Sequence, residues 1–331
     1  MTEAQKSQFL AEFNALSNTD TKPHLRLFNY LNRHLNSFNY YGETLTAQQT
    51  LENNSGNCLS LAILTTAYAQ LSNIEVEYGK SSSSPVYMKN DHFEVVSDHV
   101  VTKLFDPTFI SNKDTLYISK PHLIIDYFPT RNSWRGGTVK YDQFIAMYYR
   151  NLAADALQKD KPGMAGWLAA KSLKYAPHDP DSINLMAVIY RHLNQYAKAE
   201  VFYRHGLTQT RQNLNLLSNY QMLLTREKRH EDAQALQQKM DEVDDPSPFG
   251  WLLQGNQYLA QGKNNLALRY FNKTIEKAHY LPDGYAGAGK VYALTHQTQQ
   301  AKKHFAMALQ RTHDSKTEKL YEAKLAILAV H

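Results

Sequence analysis

The sequence of 331 residues has a single cysteine, Cys58, and this scarcity excludes two kinds of site. An internal disulfide needs two cysteines, and a metal site built on several thiolates needs more than one. No phosphate-binding glycine loop and no metal-spaced histidine–glutamate pair stands out either, so we expect neither a cofactor nor a bound metal. The lone cysteine is then either a small buried side chain or a nucleophile.

Long apolar runs are also missing. No segment approaches the roughly 18–20 consecutive apolar residues that a membrane-spanning helix needs. The opening segment, MTEAQKSQFLAEFNALSN, is polar and lacks the apolar region of a secretory signal peptide. The sequence as written predicts a cytoplasmic protein without a membrane span, or a periplasmic or exported one if a signal peptide has been removed.

An excess of one charge is absent as well, since the formal net charge is only +5. The densest basic cluster is Lys302, Lys303, Arg311, Lys316 and Lys319. We interpret it as a solvated helix surface, because no aromatic stacking platform accompanies it. No nucleic-acid partner is therefore expected, and the oligomeric state stays open.

A repeated pattern fills the C-terminal half, where large and small residues recur every 34 positions from Tyr149 onward. The large residue that leads each repeat is Tyr149, Ile183, Leu217, Trp251 or Tyr285. The residue four positions later is Ala153, Ala187, Gln221, Gly255 or Gly289, and the alanine of the second helix is Ala165, Ala199, Ala233, Ala267 or Ala301. Antiparallel helices pack closely only where one side chain is nearly absent, so the pattern predicts five helical hairpins.

This array, over about residues 145–313, resembles the tetratricopeptide family. The resemblance implies an all-α superhelix that binds a protein or peptide in its concave groove. The first-helix positions expected to face the groove include Asn184, Arg191, His192, Asn219, Arg226 and Asn256. Residues 315–330 predict a capping helix whose inner face is Leu320, Ala323, Leu325 and Leu328.

The N-terminal half places the cysteine at the start of a helix. A turn-forming loop, residues 53–57, leads directly into Cys58, and the residues from Leu59 to Leu71 are apolar or small almost all round. Such a segment predicts a buried central helix. The positive end of a helix favours a thiolate, and its first N–H groups are free to stabilise an oxyanion. We therefore interpret Cys58 as a nucleophile.

A base and an orienting carboxylate follow in two predicted strands, DHFEVVS and VVTKLFDPT. With a hairpin loop centred on His99, the opposed pairs are His92 with Asp106, Glu94 with Leu104, and Val96 with Thr102. Opposed side chains lie about 4.5–5.5 Å apart, close enough for Asp106 to hold the imidazole of His92. A two-residue turn at Ser97–Asp98 would instead put them on opposite faces of the sheet.

The motifs TAQQTLENNSGNCLSLA, HFEVV and LFDPT resemble the transglutaminase-like superfamily of the papain-type fold. The resemblance covers about residues 20–140 and implies Cys58 as nucleophile, His92 as general base and acid, and Asp106 as the orienting residue. The sequence departs from the family at Glu94, where an aromatic residue is usual, which leaves the substrate class open.

Together these features predict an α+β papain-like (transglutaminase-like) domain over residues 1–143 and an all-α tetratricopeptide superhelix over 144–331. The favoured hypothesis is a thiol acyl-transfer enzyme acting on protein or peptide amides, with hydrolysis favoured over cross-linking by analogy and the repeats recruiting substrate. The alternative is a non-catalytic interaction scaffold, which a covered Cys58 would favour. A third hypothesis is a repeat-only adaptor with an unrelated N-terminal domain.

Overall fold

The computed structural model describes residues 1–15, 20–35, 38, 44–90, 93–112, 119–127, 135–210, 213–241, 248–279, 281–312 and 315–329. The chain divides into two compact units, Met1–Lys239 and Met240–His331.

The first unit opens with four helices and a four-stranded sheet. The helices are α1 (Glu3–Ala15), α2 (Pro23–His34), α3 (Ala47–Asn53) and α4 (Cys58–Leu71). The strands are β1 (Val76–Asn90), β2 (Phe93–Phe105), β3 (His122–Ile125) and β4 (Arg135–Val139). Neighbouring strands are antiparallel in the order β3-β2-β1-β4. The core that joins helices and sheet contains Phe9 of α1, Leu27 of α2, Leu61 of α4 and Leu104 of β2.

Helix α4 confirms the predicted buried central helix. It begins at Cys58, and Leu59, Leu61 and Leu64 are almost completely buried. The helix packs against β2 of the sheet. The helix lies between the other helices and the sheet. Its own residues are apolar on all sides because every side packs against the core.

The predicted hairpin centred on His99 is wrong, because Phe93–Phe105 forms one continuous strand. Asn90 of β1 pairs with Phe93, so the chain reverses between these two residues. The predicted opposed pairs are replaced by Glu94 with Lys89, Val96 with Tyr87, Thr102 with Tyr78 and Ile125, and Leu104 with Val76 and Leu123.

The serine-rich segment explains why the turn lies elsewhere. Ser81 pairs with His99 and Val86 pairs with Ser97, so residues 82–85 oppose a single residue of β2. Such an irregularity accommodates extra residues within a strand pair. The strand pairing therefore continues past the turn-forming residues of both strands, and these residues do not end the strands.

The helices of the repeat region follow one another in hairpins. Those of the first unit are α5 (Tyr141–Gln158), α6 (Pro162–Tyr175), α7 (Pro180–His192), α8 (Tyr196–Gln209), α9 (Leu214–Arg226) and α10 (His230–Asp241). Those of the second unit are α11 (Pro248–Ala260), α12 (Asn264–Lys277), α13 (Pro282–Leu294), α14 (Thr298–Leu309) and α15 (Ser315–Ala329).

The 34-residue period is confirmed at both helices of the hairpin. Helices α7, α9, α11 and α13 begin at residues 180, 214, 248 and 282, and α6, α8, α10, α12 and α14 begin at 162, 196, 230, 264 and 298. The predicted alanines at the helix crossings, Ala165, Ala199, Ala233, Ala267 and Ala301, are all buried. The region is therefore built of tetratricopeptide-like helical repeats.

Helix α5 belongs to both the sheet region and the repeats. Its Phe144 ring stacks on Tyr78 of β1 with the centroids 3.9 Å apart, and the Ala146 carbonyl accepts a hydrogen bond from Ser172 Oγ of α6 at 2.7 Å. The predicted boundary between residues 143 and 144 therefore lies inside a helix. Independent folding of residues 1–143 stays a prediction.

The turn inside each hairpin carries one residue in the left-handed region. These residues are Asp160, Asn194, Lys228, Gly262 and His296, with φ between 54° and 71°. In each case the following N–H donates to a carbonyl of the preceding helix, as Arg229 N does to Leu224 O at 2.9 Å. Glycine and asparagine adopt this conformation at the lowest cost, whereas residues such as Lys228 and His296 pay a steric cost for it.

We expect Gly262→Ala to lower the free energy of unfolding by about 1 kcal/mol, since alanine is strained at a positive φ. Lys228→Gly should raise it by about 0.5–1 kcal/mol for the converse reason. The matched control is Gly163→Ala in α6, where a Cβ meets nothing within 4 Å, and this change should stabilise. Urea unfolding of the three variants measures each change in the free energy of unfolding. If Gly262→Ala stabilises the protein, the positive φ at this turn is contradicted.

The terminal helix α15 exists as predicted, but its inner face differs. Tyr321, Leu325 and Leu328 pack against the α13–α14 pair, whereas Leu320 is 52% exposed and Ala323 is exposed too. The prediction is therefore right for Leu325 and Leu328 and wrong for Leu320 and Ala323. Residues 321, 325 and 328 share one helical face by the 3.6-residue period, and Tyr321 directs that face inward.

Candidate functional site

The N-terminus of α4 is held in place by a short polar network. Asn57 Oδ1 accepts hydrogen bonds from Ser60 N at 3.0 Å and from Ser60 Oγ at 3.1 Å, and Asn57 Nδ2 donates to Thr44 Oγ1 at 2.6 Å. A Cβ at Gly56, whose φ is 152°, would come within 2.7 Å of Ser60 Cβ. The loop therefore needs glycine next to the helix start. Asn57 serves as the helix cap.

Cys58 itself is a free thiol and only 5% exposed. It belongs to the core that includes Leu61 and Tyr127. A nucleophilic cysteine has to be reached by its substrate, and a buried cysteine without access is inert. Its position at the helix N-terminus matches the sequence expectation, but its burial is the feature expected of the scaffold hypothesis.

The carboxylate of Asp106 accepts three hydrogen bonds from described residues. Oδ2 accepts from Lys22 Nζ at 2.6 Å, and Oδ1 accepts from Thr108 N at 2.9 Å and from Thr108 Oγ1 at 2.6 Å. The side chain is fully buried. Burial acts to raise the pKa of Asp106, but the bonds from Lys22 and Thr108 outweigh it and lower this pKa to about 2. Asp106 is therefore ionised and anchors the start of α2 to the end of β2.

Among the described residues, His24 places an imidazole near Asp106, with Nδ1 3.7 Å from Asp106 Oδ1. His24 is buried, and this nitrogen has no hydrogen-bond partner within the described residues. Burial lowers the pKa of His24, while Asp106 acts to raise it. His24 is consequently neutral near pH 7. His92, the predicted base, lies outside the described residues.

Lys22, His24 and Thr108 were not predicted from the sequence as neighbours of Asp106. Thr108 was within reach of prediction, because an aspartate that binds the backbone two residues later forms a common local turn. Lys22 lies 84 residues before Asp106 in the chain, and no local pattern indicates their contact.

Three of the predicted partner-binding residues are joined by hydrogen bonds. Asn219 Nδ2 of α9 donates to Asn184 Oδ1 of α7 at 3.3 Å, and Arg191 Nη1 donates to the Asn219 carbonyl at 3.2 Å. Asn184 and Asn219 are buried, whereas Arg191 is half-buried. Neighbouring repeats are thus connected by polar side chains on their first helices.

The other two members of the predicted set are more accessible. Arg226, at the end of α9, is exposed and lies over the Tyr196 ring, 5.0 Å from its centroid. Asn256 on α11 is half-buried. His192, also expected in the groove, is half-buried and pairs with Asp160 at 3.1 Å.

A buried arginine joins the first two hairpins. Arg150 of α5 is 2% exposed, and its Nη1 contacts Asp179 Oδ2 at 2.9 Å and Asp181 Oδ2 at 3.4 Å. Burial raises the pKa of Asp179, but Arg150 and the bonds from Ser182 outweigh this and lower it. Asp179 also caps α7, so one carboxylate fixes both the helix start and the contact between repeats.

The described parts of the chain contain no group of three or more histidine, cysteine, aspartate or glutamate side chains able to hold a metal ion. Within these same ranges, every helix is too short or too polar to cross a membrane.

Neither the protein-family models nor the curated proteins include a match to this chain. Solved structures of helical-repeat proteins do match. PilF of Pseudomonas aeruginosa is 21% identical, with 57% of this chain and 86% of that one covered and a TM-score of 0.42. PilW, a type IV pilus biogenesis factor, is 19% identical over 55% and 92%, with a TM-score of 0.39. A thermophilic tetratricopeptide protein of Thermus thermophilus is 16% identical over 56% and 100%, with a TM-score of 0.43. At these scores the likeness says nothing about function.

Proposed function

We propose that this protein is a non-catalytic protein-interaction scaffold, in which the helical repeats bind a segment of a partner protein. The observation that carries the proposal is the state of the thiol region. Cys58 is buried, and the Asp106 carboxylate accepts hydrogen bonds from Lys22 and Thr108 that tie α2 to the end of β2. Both residues therefore act as structural elements of the first unit.

The binding part of the proposal rests on the repeats. Helical hairpins of this kind bind extended peptides along their first helices. Among the predicted partner-binding residues of the first unit, Arg226 is exposed and accessible to a partner. A guanidinium binds carboxylates and peptide carbonyls well. The first partners to seek are therefore peptides that contain acidic side chains or a free C-terminus.

A peptide library displayed on phage and selected on the full chain tests this binding. Arg226→Glu should remove most of the selected binders, because it reverses the charge of the accessible contact. Lys239→Glu, a charge reversal at another exposed residue, on α10, is the matched control and should leave them bound. Equal loss in both variants, or no binders at all, contradicts the peptide-binding proposal.

The thiol acyl-transfer enzyme is the second candidate, supported by the placement of Cys58 and of its helix. Cys58 opens α4, where the helix N-terminus favours a thiolate, and α4 packs against the sheet, as in the transglutaminase-like arrangement. In that case Cys58 attacks an amide carbonyl, His92 transfers the proton to the leaving amine, and water resolves the acyl-enzyme. Asp106 would hold His92 in the orientation that this transfer needs.

The pH dependence of Cys58 alkylation by iodoacetamide separates the two candidates. The scaffold proposal predicts slow alkylation of the folded chain. An opening free energy of about 3 kcal/mol would already reduce the reactive fraction about 100-fold relative to the unfolded chain. The rate should not change in His92→Ala. An apparent pKa well below the ordinary value of about 8.5, rising in His92→Ala, would instead establish the enzyme and overturn the scaffold. Because Cys58 is the sole cysteine, the readout is unambiguous.

A further inference from the structure

Helix α6 carries large apolar side chains on its solvent face. Met164 is 57% and Trp167 is 60% exposed, and Tyr175 near the end of the helix is 40% exposed. These three residues share one face by the 3.6-residue period, opposite the buried Ala165 and Leu168. Large apolar side chains that remain exposed side by side mark a surface that contacts a partner or a membrane.

The repeat register extends this apolar surface to α8. Val201 occupies the position on α8 that Trp167 occupies on α6, and it is 65% exposed. The later repeats have Ala235, Arg269 and Lys303 at this position, a small residue and two charged ones. Because successive hairpins stack, the same position on α6 and on α8 falls on the same side of the array. Large apolar residues at this position are therefore particular to the first two repeats and are not required by the fold.

Lysines border the apolar residues of α6. Lys161 precedes the helix and Lys174 lies near its end, and both are exposed. Lys171 lies between them, with its ammonium 5.2 Å from the centroid of the Trp167 ring. Residues 159–175 contain four lysines and one acidic residue, Asp160. The border of the apolar face is therefore positively charged and complementary to an anionic surface.

Helix α8 continues the positive charge. Lys198 and Arg204 lie three residues to either side of Val201, and both are exposed. Glu200, the acidic residue of α8, accepts a hydrogen bond from Arg229 Nη1 of α10 at 2.8 Å. The carboxylate of this helix is thus paired with a cation of the next hairpin, and it does not offset the charge beside Val201.

We propose that these apolar and basic side chains bind the surface of a membrane that contains anionic phospholipids. The surface, which we call the α6–α8 patch, comprises Met164, Trp167, Val201, Lys161, Lys171 and Lys174. Its apolar side chains enter the headgroup region of the bilayer, while the lysine ammonium groups stay with the lipid phosphates. Tryptophan favours this depth because its ring is apolar and its N–H is polar.

The kind of basic residue favours lipid over a protein partner. Protein interfaces are enriched in arginine and depleted in lysine, because the guanidinium forms planar, bidentate pairs. The basic residues between positions 159 and 175 are all lysines. A lysine binds phosphate as a point charge with rotatable donors, which suits mobile lipid headgroups. The patch lies on second helices, so the proposal does not depend on the peptide site proposed at Arg226.

Sedimentation of the full chain with vesicles tests the proposal. The chain should bind vesicles of equal parts phosphatidylserine and phosphatidylcholine and should bind pure phosphatidylcholine much less, because charge contributes to the attraction. Trp167→Ala should weaken binding to the anionic vesicles about tenfold, whereas Leu294→Ala, at a comparably exposed residue of α13, should not change it. Lys174→Glu should weaken binding more than Lys239→Glu, although both variants change the net charge equally.

The matched variants also define the failure of the proposal. A chain that does not bind the anionic vesicles, or that binds pure phosphatidylcholine equally well, overturns it. Equal losses in Trp167→Ala and Leu294→Ala, or in Lys174→Glu and Lys239→Glu, overturn it too, since binding would then reflect overall composition and not the α6–α8 patch. Circular dichroism confirms that each variant is folded.

The fluorescence of Trp167 reports insertion directly. Combining Trp134→Phe with Trp251→Phe leaves Trp167 as the sole tryptophan. Its emission should shift to shorter wavelength when anionic vesicles are added, and lipids with brominated acyl chains should quench it, because the indole leaves water. Emission that does not change on vesicles that bind the chain overturns the proposal. Self-association of the free chain that Trp167→Ala abolishes also overturns it, since a second copy and not lipid would then cover the patch.

Discussion

We expect Phe271→Ala to lower the free energy of unfolding of the second unit by about 3–5 kcal/mol, the cost of deleting a buried phenyl ring. Phe271 is completely buried on α12. It lies between Gly255 of α11 and Gly287 of α13, where a Cβ would come within 2.7 and 2.5 Å of the ring. The ring fills the space that the two glycines leave, so its removal opens a cavity between adjacent repeats. Guanidinium unfolding of the full chain measures the loss.

Two comparisons make the Phe271 prediction specific. Leu294→Ala removes a similar apolar volume from α13 at a side chain that is 62% exposed, and it should cost less than about 0.5 kcal/mol. Gly287→Ala should destabilise the parent chain but not the Phe271→Ala variant, because the ring that it clashes with is then absent. A double-mutant cycle of Phe271→Ala and Gly287→Ala should therefore show a strong coupling energy between the two positions. Additive effects would mean that the ring does not lie against Gly287.

We expect Asp106→Asn to lower the free energy of unfolding by about 1.5–3 kcal/mol at neutral pH, the range for hydrogen bonds made to a charged group. The amide keeps the shape of the carboxylate but loses its charge-assisted bonds from Lys22 and Thr108. Lys22→Met should cost less, about 0.5–1 kcal/mol, because the Lys22 side chain is half exposed and its ion pair is screened by solvent.

The pH dependence identifies the ionised carboxylate as the cause. The pKa of Asp106 is lowered from 3.8 to about 2 in the folded chain. A lowered pKa means that the stabilisation is present above the unfolded value and is lost as the pH falls from about 4 through about 2. The stability of the parent should therefore fall over this range more steeply than that of Asp106→Asn. If Asp106→Asn keeps full stability but changes Cys58 alkylation, Asp106 belongs to a catalytic site instead.

The pairing register of the strands was not predicted correctly from the sequence. The segment from Phe93 to Phe105 contains Ser97, Asp98 and His99, which together resemble a turn. The structure keeps them in one strand, because β1 supplies partners on both sides of the irregularity at residues 82–85. Pairing with a neighbouring strand thus overrides local turn preference, which is why strand register is weakly encoded in a single segment.

The candidate site was predicted in part. The place of Cys58 at the start of a buried helix followed from the loop before it and the apolar residues after it. Its burial did not follow, because burial depends on helices α1 and α2, which pack over the same core. The contacts of Asp106 with Lys22 and His24 likewise join distant segments, and their existence depends on how α2 packs near β3.

The sequence by itself determined the repeats. Alanine and glycine at the helix crossings, prolines at the helix starts and the 34-residue spacing are local signals, and each hairpin is formed by residues close together in the chain. The tertiary structure alone decided the reversal between Asn90 and Phe93, the partners of Asp106 and the exposed face of α15. These features depend on contacts between segments far apart in the sequence. Local sequence patterns do not predict which of these contacts form.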